Sequence, residues 1–432
     1  MIFLEKAKTL NLDKKAVLYI LFYAAATIAT FVRTFVYAAL LNPTSFGELN
    51  KLILYKNNFL LFASFGILLL AQKRLPIAYA QNNEPEIENL IVGSLLVFYT
   101  TSVLGFCLLL FLGVTKFISY QSVLLYCLLI FYSISQYVFL VLSTDLRSLL
   151  EREVYALLYA VRAVLILVAT LCLYWVPETV TAALLISIET IVSLVIFIGV
   201  VIKKNKKLYF KTNVSLRRLK IWLTRSIREG MRLLFLSNAV VVMTSLDRWI
   251  GIFVLTDEEY GIYATGLIFL AAMDTIQVMI NQYIFPLMSR TVGLEGYTAA
   301  YALTKKMTFL FLGLGFILFI PITVGIRIVV VLALPQYTES LNIIPIFVLM
   351  GIFAISNFSI SFCSLCNLEK AISFIFSIYS ALIFAFCMIL NQFINYEPIH
   401  IAYIALLSSL LLWLTSYILG LRASEKYRNC KR

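Results

Sequence analysis

Apolar runs of about twenty residues recur along the whole chain, and they limit the folds that this sequence can adopt. Of the 432 residues, 62% are hydrophobic and 13% are charged. A soluble domain usually carries about half apolar and a quarter charged residues. Runs of this length cross a bilayer as α-helices, because a barrel strand needs only about ten residues. The sequence therefore predicts an all-α, multi-pass membrane protein.

Twelve runs are long enough to span a bilayer, and at about 35 residues for each span and its loop they use nearly the entire chain. They predict an N-terminal set of six helices at 1–202 and a C-terminal set at 233–432, separated by a basic linker at 203–232. The predicted spans are 16–41, 52–72, 88–112, 122–143, 154–176, 178–202, 233–256, 260–288, 308–334, 340–366, 373–392 and 398–421.

Basic residues are distributed unequally between the two sides of the predicted membrane. With the N-terminus in the cytoplasm, most of the 35 lysines and arginines fall in the inner tails and loops, whereas the outer side holds Lys51, Lys56 and Lys116. This pattern predicts that both termini are cytoplasmic. The linker mixes basic and apolar residues, so we expect it to lie on the anionic inner leaflet. The net charge of +13 thus requires no nucleic acid as a partner.

The composition also argues against most kinds of enzyme site. His400 is the only histidine, which disfavours a histidine-based metal site, and six of the seven cysteines lie in apolar runs. The predicted outer loops are too short for a folded catalytic domain and bring no paired carboxylates together. No motif indicates a nucleotide or a tightly bound cofactor. We expect a protein that is not an enzyme and that uses no cofactor.

A short motif occurs twice, after the first and after the seventh predicted span. Residues 41–49 read LNPTSFGEL and residues 255–263 read LTDEEYGIY, 214 positions apart (255 minus 41). Both copies face the same side of the membrane, which predicts parallel repeats related by an axis along the membrane normal. We expect Gly47 and Gly261 to permit a sharp turn from one helix into the next.

Ionisable residues inside the predicted spans are the candidates for a functional site. Each costs about 2.5–3.5 kcal/mol at the bilayer centre, so they should face each other or a wet cavity and not lipid. Six lie well inside the spans, and two lie nearer span ends, where a long side chain can also reach the headgroups. The six are Arg33, Arg162, Glu189, Asp247, Arg248 and Asp274, and the two are Lys56 and Arg327.

Polar residues accompany these charges at helical spacing. Asp274, Gln277 and Asn281 follow the i, i+3, i+7 pattern of one helix face, and Thr244 precedes Arg248 by one turn. Such stripes favour a polar cavity. The alternative, that the charges only pair with each other and hold helices together, stays open for each of them.

The alignment of the two motifs also relates the charged residues of the two halves. It places Arg33 opposite Asp247, with Arg248 one residue further on. Each half is therefore expected to carry a charged site at the same depth, in the outer part of its first helix.

Three more stretches and the predicted topology resemble one family of membrane transporters. Residues 31–34 read FVRT, residues 246–248 read LDR, and residues 334–337 read LPQY in the loop between the ninth and tenth spans. Together with the Phe-Gly and Tyr-Gly loops, they resemble the polysaccharide flippases of the Wzx type. These proteins belong to the multidrug/oligosaccharidyl-lipid/polysaccharide (MOP) exporter superfamily, and the resemblance covers essentially the whole chain.

The resemblance implies two parallel six-helix bundles around a central cavity that works by alternating access. It implies a bacterial inner-membrane protein that moves an undecaprenyl-pyrophosphate-linked oligosaccharide from the cytoplasmic to the outer leaflet. The cargo would serve O-antigen, capsule or a related polysaccharide, and polysaccharide polymerase and assembly proteins would be partners. The sequence leaves open whether a proton, a sodium ion or the membrane potential drives turnover.

The chemistry of that cargo suggests roles for the charged residues, because an arginine offers bidentate, permanently charged hydrogen bonds to phosphate. The residues expected to bind the pyrophosphate are Arg33 and Arg248, followed by Arg162, Lys56 and Arg327. Those expected to couple to an ion or to pair with the arginines are Asp247, Asp274 and Glu189. The polar residues expected in the cavity are Gln277, Asn281 and Thr244.

The main alternative is a multidrug exporter of the same superfamily. Such exporters carry cationic drugs, so acidic residues should dominate their cavities, whereas arginine is at least as prominent here. A peptidoglycan-precursor flippase usually has fourteen spans, and a major-facilitator transporter usually has a basic motif after span two that this chain lacks. An O-antigen ligase or polymerase is disfavoured by the absence of a large predicted outer loop.

Overall fold

The structure, a computed structural model, describes residues 14–117, 119–149, 151–176, 180–203 and 216–429, and every regular element in these ranges is helical. This confirms the all-α fold class. The α-helices are α1 (Lys14–Leu40), α2 (Pro43–Ala63), α3 (Ile67–Ala80), α4 (Glu84–Val114), α5 (Tyr120–Ser148), α6 (Arg152–Cys172), α7 (Ala182–Lys203), α8 (Leu216–Thr244), α9 (Leu246–Val254), α10 (Asp257–Glu295), α11 (Tyr297–Ala333), α12 (Ile344–Ser356), α13 (Ser359–Leu365), α14 (Glu369–Leu390) and α15 (Pro398–Asn429). Short 3-10 helices occupy Leu173–Trp175 and Pro335–Asn342.

The long helices have the dimensions and surfaces of membrane spans. Within the described ranges, ten helices are long and apolar enough to cross a bilayer, and α2 with α3 makes an eleventh candidate that bends by 61°. Large apolar side chains lie on the outside, such as Ile317 and Leu332, which are 75% and 78% exposed. Such exposure is costly in water and favourable in lipid. The protein is therefore a multi-pass membrane protein, while the count of twelve spans stays a prediction.

The seventh predicted span, 233–256, is divided between two helices. Helix α8 begins at Leu216 and continues to Thr244, and α9 follows after a break at Ser245. Residues 216–232 of the predicted linker form the first part of this continuous helix, and their position on the inner leaflet stays a prediction. No proline interrupts residues 216–244, so nothing in the sequence stops this helix. Residues 204–215 of the predicted linker lie outside the described residues.

The second predicted span, 52–72, begins too late and is not continuous. Helix α2 starts at Pro43, where a proline fits the first turn, and the chain breaks after Ala63. At the break Gly66 has a φ of 69°, in the left-handed region that glycine adopts without strain. Lys56 consequently lies in the middle of α2, and the prediction that it is near a span end is wrong.

The chain divides into two compact units. The first unit contains Met1–Leu40 and Leu52–Leu234, and the second contains Leu41–Lys51 and Phe235–Arg432. Each unit has its own apolar core, which includes the stacked rings of Phe98 and Tyr137 in the first unit and Tyr263 against Phe347 in the second. The predicted division into two six-helix bundles at 203–232 stays a prediction.

The two copies of the repeated motif lie against each other in the second unit. A Cβ atom added to Gly47 would lie 1.9 Å from the carbonyl oxygen of Asp257, and one added to Gly261 would lie 1.9 Å from the carbonyl oxygen of Pro43. The contacts are reciprocal, because Asp257 is the counterpart of Pro43 in the repeat. Both glycines lie within helices, so the predicted sharp turns are wrong. Instead, the glycines let the first turns of α2 and α10 pack backbone to backbone.

The LPQY motif also contacts the first copy of the repeated motif, at Leu41. The hydroxyl of Tyr337 and the side-chain amide of Gln336 both donate to the carbonyl oxygen of Leu41, at 2.9 Å and 3.1 Å. Burial raises the pKa of Tyr337, so its phenol stays a neutral donor. Lys51 adds a salt bridge of 2.8 Å to Asp257. The two copies of the repeated motif and the LPQY motif therefore form one joint, which we call the Gly47–Gly261 joint.

Candidate functional site

Three basic side chains of the first unit converge around a single carboxylate. Glu189 comes from α7, and its Oε1 is 3.2 Å from Arg33 Nη1 of α1, while its Oε2 is 4.0 Å from Arg162 Nη2 of α6. Lys56 of α2 joins them through Tyr132 of α5, with its Nζ 3.4 Å from the hydroxyl oxygen and 4.7 Å from the ring centre. We call the four charged residues, Arg33, Lys56, Arg162 and Glu189, the Glu189 cluster.

The Glu189 carboxylate is fully engaged by its neighbours. It lies on the buried face of α7 and is 4% exposed. The Tyr37 hydroxyl donates to Oε1 at 2.9 Å, and the Tyr132 hydroxyl donates to Oε2 at 2.5 Å. Two phenols and two guanidinium groups therefore surround one carboxylate, which is how a buried charge avoids its desolvation penalty.

The two arginines of the cluster differ in how tightly they are held. Arg162 donates from Nε to Ser193 Oγ at 2.9 Å and from Nη2 to Gln136 Oε1 at 2.7 Å, which fixes its plane. The Nε of Arg33 is buried and has no hydrogen-bond partner in the described structure. Both side chains keep about a sixth of their surface exposed, 16% for Arg33 and 15% for Arg162. Arg33 thus keeps one buried donor without a partner, whereas the donors of Arg162 named above are all used.

The cluster carries more positive than negative charge. Three cations face one carboxylate, so two positive charges lack a counterion among the described residues of the site. A buried charge without a partner is costly, and the cost falls when an anion occupies the site. Guanidinium groups match the oxygens of phosphate in a bidentate manner. The arrangement is suited to binding a phosphate-bearing group of about two negative charges.

The second unit carries a different set of charges. Asp247 of α9 is 2% exposed and accepts a very short hydrogen bond from the hydroxyl of Tyr263 in α10. The neighbouring Arg248 has a buried Nε without a hydrogen-bond partner in the described structure. Asp274 is half-buried on α10, and no described basic side chain forms an ion pair with it within 4.0 Å. Acidic groups therefore predominate in this unit's buried charges.

The remaining predicted site residues lie in the second unit and have ordinary partners. Asn281 accepts a hydrogen bond from Ser361 at 3.0 Å, and Gln277 is half-buried one turn before it on α10. Thr244 and Arg327 are exposed, and each donates to a backbone carbonyl at 3.1 Å. The phosphate-binding role expected of Arg327 and the cavity roles expected of the other three residues stay predictions.

Sequence reasoning missed three residues that position the cluster. These are Tyr132, Gln136 and Ser193, which bind Glu189 or Arg162 directly. Gln136 gave a signal that could have been used, because a glutamine within an apolar run is expected to have a polar partner. Tyr132 and Ser193 are common in spans and gave no such signal.

The sequence matches the family model described as "Polysaccharide biosynthesis protein" over residues 12–292, well over half of the chain. The chain belongs to this family. A comparison with curated proteins gives no match. The family agrees with the resemblance that the short motifs indicated.

Solved structures with similar folds are transporters. An outward-facing multidrug resistance MATE family transporter of the MOP superfamily has a TM-score of 0.55 and 11% identity, over 97% of this chain and 98% of that chain. The MATE transporter VcmN of Vibrio cholerae, crystallised as a mutant, gives 0.51 and 14%, over 95% and 98%. A MOP superfamily transporter from Pyrococcus furiosus, whose reversed pocket polarity suggests a different function, gives 0.53 and 10%, over 93% and 96%. At these identities the likeness shows the fold alone, and the family membership rests on the sequence match.

Proposed function

We propose that this protein is a flippase for lipid-linked oligosaccharides in a bacterial inner membrane. It moves an undecaprenyl-pyrophosphate-linked repeat unit from the cytoplasmic to the outer leaflet by alternating access, for O-antigen, capsule or a related polysaccharide. The observation that carries the proposal is the surplus of positive charge in the Glu189 cluster. Membership of the polysaccharide biosynthesis family supports the class of cargo.

The cluster fits the charged part of that cargo. A pyrophosphate diester carries two negative charges, which is the surplus that the three cations leave after Glu189 is counted. Arg33, with its unused Nε, and Lys56 bind the phosphate oxygens. Arg162 is held by its own partners and keeps Glu189 in place when the site is empty. Arg248, whose Nε is also unpaired in the described structure, is the candidate phosphate-binding residue of the second unit.

A multidrug exporter is the second candidate function. It is favoured by the buried Asp247 and the half-buried Asp274, since acidic groups attract cationic drugs. The fold is compatible with both functions. A cationic drug, however, gains nothing from a site with surplus positive charge, whereas a pyrophosphate does.

The first experiment deletes the gene in its host and extracts both the surface polysaccharide and the lipid-linked intermediates. A flippase predicts loss of the polymer and accumulation of the complete lipid-linked unit on the cytoplasmic leaflet. An unchanged polymer with heightened sensitivity to cationic drugs would assign the protein to the multidrug class instead.

The second experiment tests the site in the complemented deletion strain. Arg33→Gln and Arg248→Gln are expected to abolish export while the variants still insert, and Lys370→Gln, an exposed lysine, is the matched control. A binding assay on purified protein uses farnesyl pyrophosphate, a shorter lipid pyrophosphate. Loss of a charged hydrogen bond costs about 1.5–3 kcal/mol, so Arg33→Gln should bind it roughly ten- to hundredfold more weakly. Normal export by both arginine variants would refute the assignment.

A further inference from the structure

One exposed face of helix α8 carries a row of arginines. Arg225, Arg228 and Arg232 follow the i, i+3, i+7 spacing of one helix face, and all three are exposed. None of them takes part in an ion pair shorter than 4.0 Å with a described acidic side chain. We call these three residues the α8 arginine row.

The opposite side of α8 fixes the helix to the first unit. A Cβ atom added to Gly230 would lie 2.6 Å from the carbonyl oxygen of Phe65, at the break between α2 and α3. The Trp222 ring packs against Gly93 of α4, and Leu234 is 1% exposed. These contacts orient the helix and leave the arginine row on its free side.

The acidic residue next to the row is engaged elsewhere. Glu229 is the only acidic residue between positions 216 and 235, a segment with six basic residues. Its Oε2 lies 2.5 Å from Nη2 of Arg74, which also pairs with Glu86 at 3.5 Å. Glu229 therefore does not neutralise the arginine row, and the surplus of positive charge on this face is retained.

The same face of α8 changes from basic to aromatic after Arg232, where the helix approaches the predicted seventh span. Phe235 continues the spacing after Arg232 and is 66% exposed. A basic stretch followed on the same face by an exposed aromatic ring is typical of the boundary between headgroups and acyl chains. Since α8 runs on into the predicted seventh span, its basic part is expected to lie at the level of the headgroups.

We propose that Arg225, Arg228 and Arg232 form a binding site for the headgroups of anionic phospholipids. The site is separate from the Glu189 cluster and does not depend on the nature of the cargo. Charge complementarity identifies the partner: the row offers three permanently charged donors on about 10 Å of helix, and anionic phospholipids offer a phosphate at the same level. Arginine near an anionic surface contributes about fivefold in affinity, so the row contributes roughly a hundredfold.

The test measures lipid binding to the purified full-length protein by native mass spectrometry in a neutral detergent. The protein is titrated with phosphatidylglycerol or with phosphatidylcholine, at low and high salt. We expect salt-sensitive binding of phosphatidylglycerol only. The triple variant Arg225→Gln, Arg228→Gln, Arg232→Gln should lose roughly a hundredfold in affinity, and the corresponding triple lysine variant should retain most of it.

The matched control removes three exposed lysines at other places, Lys305→Gln, Lys306→Gln and Lys370→Gln. It should bind phosphatidylglycerol like the unmodified protein. Equal loss in the control would show that only total charge matters, and equal binding by the arginine-to-glutamine variant would show that the row is not the site. Either result overturns the proposal, as does equal binding of both lipids. If the triple variant does not fold, the single variants replace it, each with an expected loss of about fivefold.

Discussion

Replacing Glu189 by glutamine tests whether the cluster is held together by electrostatics. The change keeps the shape of the side chain and removes its negative charge, so Arg33, Arg162 and Lys56 become three buried cations without a counterion. The NH₂ end of the glutamine amide also donates hydrogen bonds, so it faces the N–H donors of an arginine without an acceptor between them. We therefore expect Glu189→Gln to destabilise the protein strongly and Glu189→Asp, which keeps the charge, to do so less.

The distances give the size of the effect. At an effective dielectric constant of about 20, a separation of 3.2 Å corresponds to about 5 kcal/mol of attraction, and 4.0 Å corresponds to about 4 kcal/mol. Part of this is offset by desolvation, and breaking one side of a buried ion pair typically costs about 3–5 kcal/mol. The expected loss is thus a large fraction of the total stability of about 5–15 kcal/mol. For a chain of 432 residues it corresponds to a decrease in the unfolding midpoint of roughly 3–6 °C.

The assay is thermal unfolding of purified protein in detergent, for both single variants and the double variant. Arg33→Gln in the Glu189→Gln background removes one of the unbalanced cations, so the double variant should be more stable than the sum of the two losses predicts, by about 1–3 kcal/mol. Glu339→Gln, an exposed carboxylate, is the control and should leave the midpoint unchanged. Additive losses, or a Glu189→Gln midpoint equal to that of the control, would refute the electrostatic account.

Two further predictions concern the Gly47–Gly261 joint. Gly47→Ala places a methyl group 1.9 Å from a backbone oxygen of α10, so it should lower the free energy of unfolding by about 1–3 kcal/mol or more, measured by thermal unfolding. The control is Gly199→Ala, which has nothing within 4 Å of the added methyl group and should be neutral or stabilising. Tyr337→Phe removes the 2.9 Å hydrogen bond to Leu41 and should lower the free energy of unfolding by about 1 kcal/mol. Its control, Tyr174→Phe, changes an exposed tyrosine and should leave the free energy of unfolding unchanged. Equal effects within either pair of variants would show that these contacts do not stabilise the joint.

The membrane class and most helices could be predicted from the sequence because the length of an apolar run is a local property. The run predicted at 88–112 is α4, Glu84–Val114, and the run predicted at 178–202 is α7, Ala182–Lys203. The start of α2 could not be predicted in this way. Residues 43–51 are partly polar, and their helix is stabilised by packing of Gly47 against the second copy of the motif, which is a tertiary contact.

The sequence predicted which charged residues belong to the site better than it predicted which of them pair with each other. Arg33, Arg162 and Glu189 were identified because an ionisable residue in a span must have a partner. Which partner it has depends on how the helices pack, and the sequence carries no local sign that Arg33 of α1 meets Glu189 of α7. The alignment of the repeats drew attention instead to Asp247, which hydrogen-bonds to Tyr263 within the other unit.

The repeat makes this difference between the units informative. The joint preserves the register of the two motifs, since Gly47 contacts Asp257 as Gly261 contacts Pro43. In that register Arg33 has an acid, Asp247, as its counterpart, so duplicated positions carry opposite charges. Two positions with the same role would be expected to carry the same charge. The reversal instead favours different roles for these two positions, because Arg33 forms a salt bridge with Glu189 whereas Asp247 accepts a hydrogen bond from Tyr263.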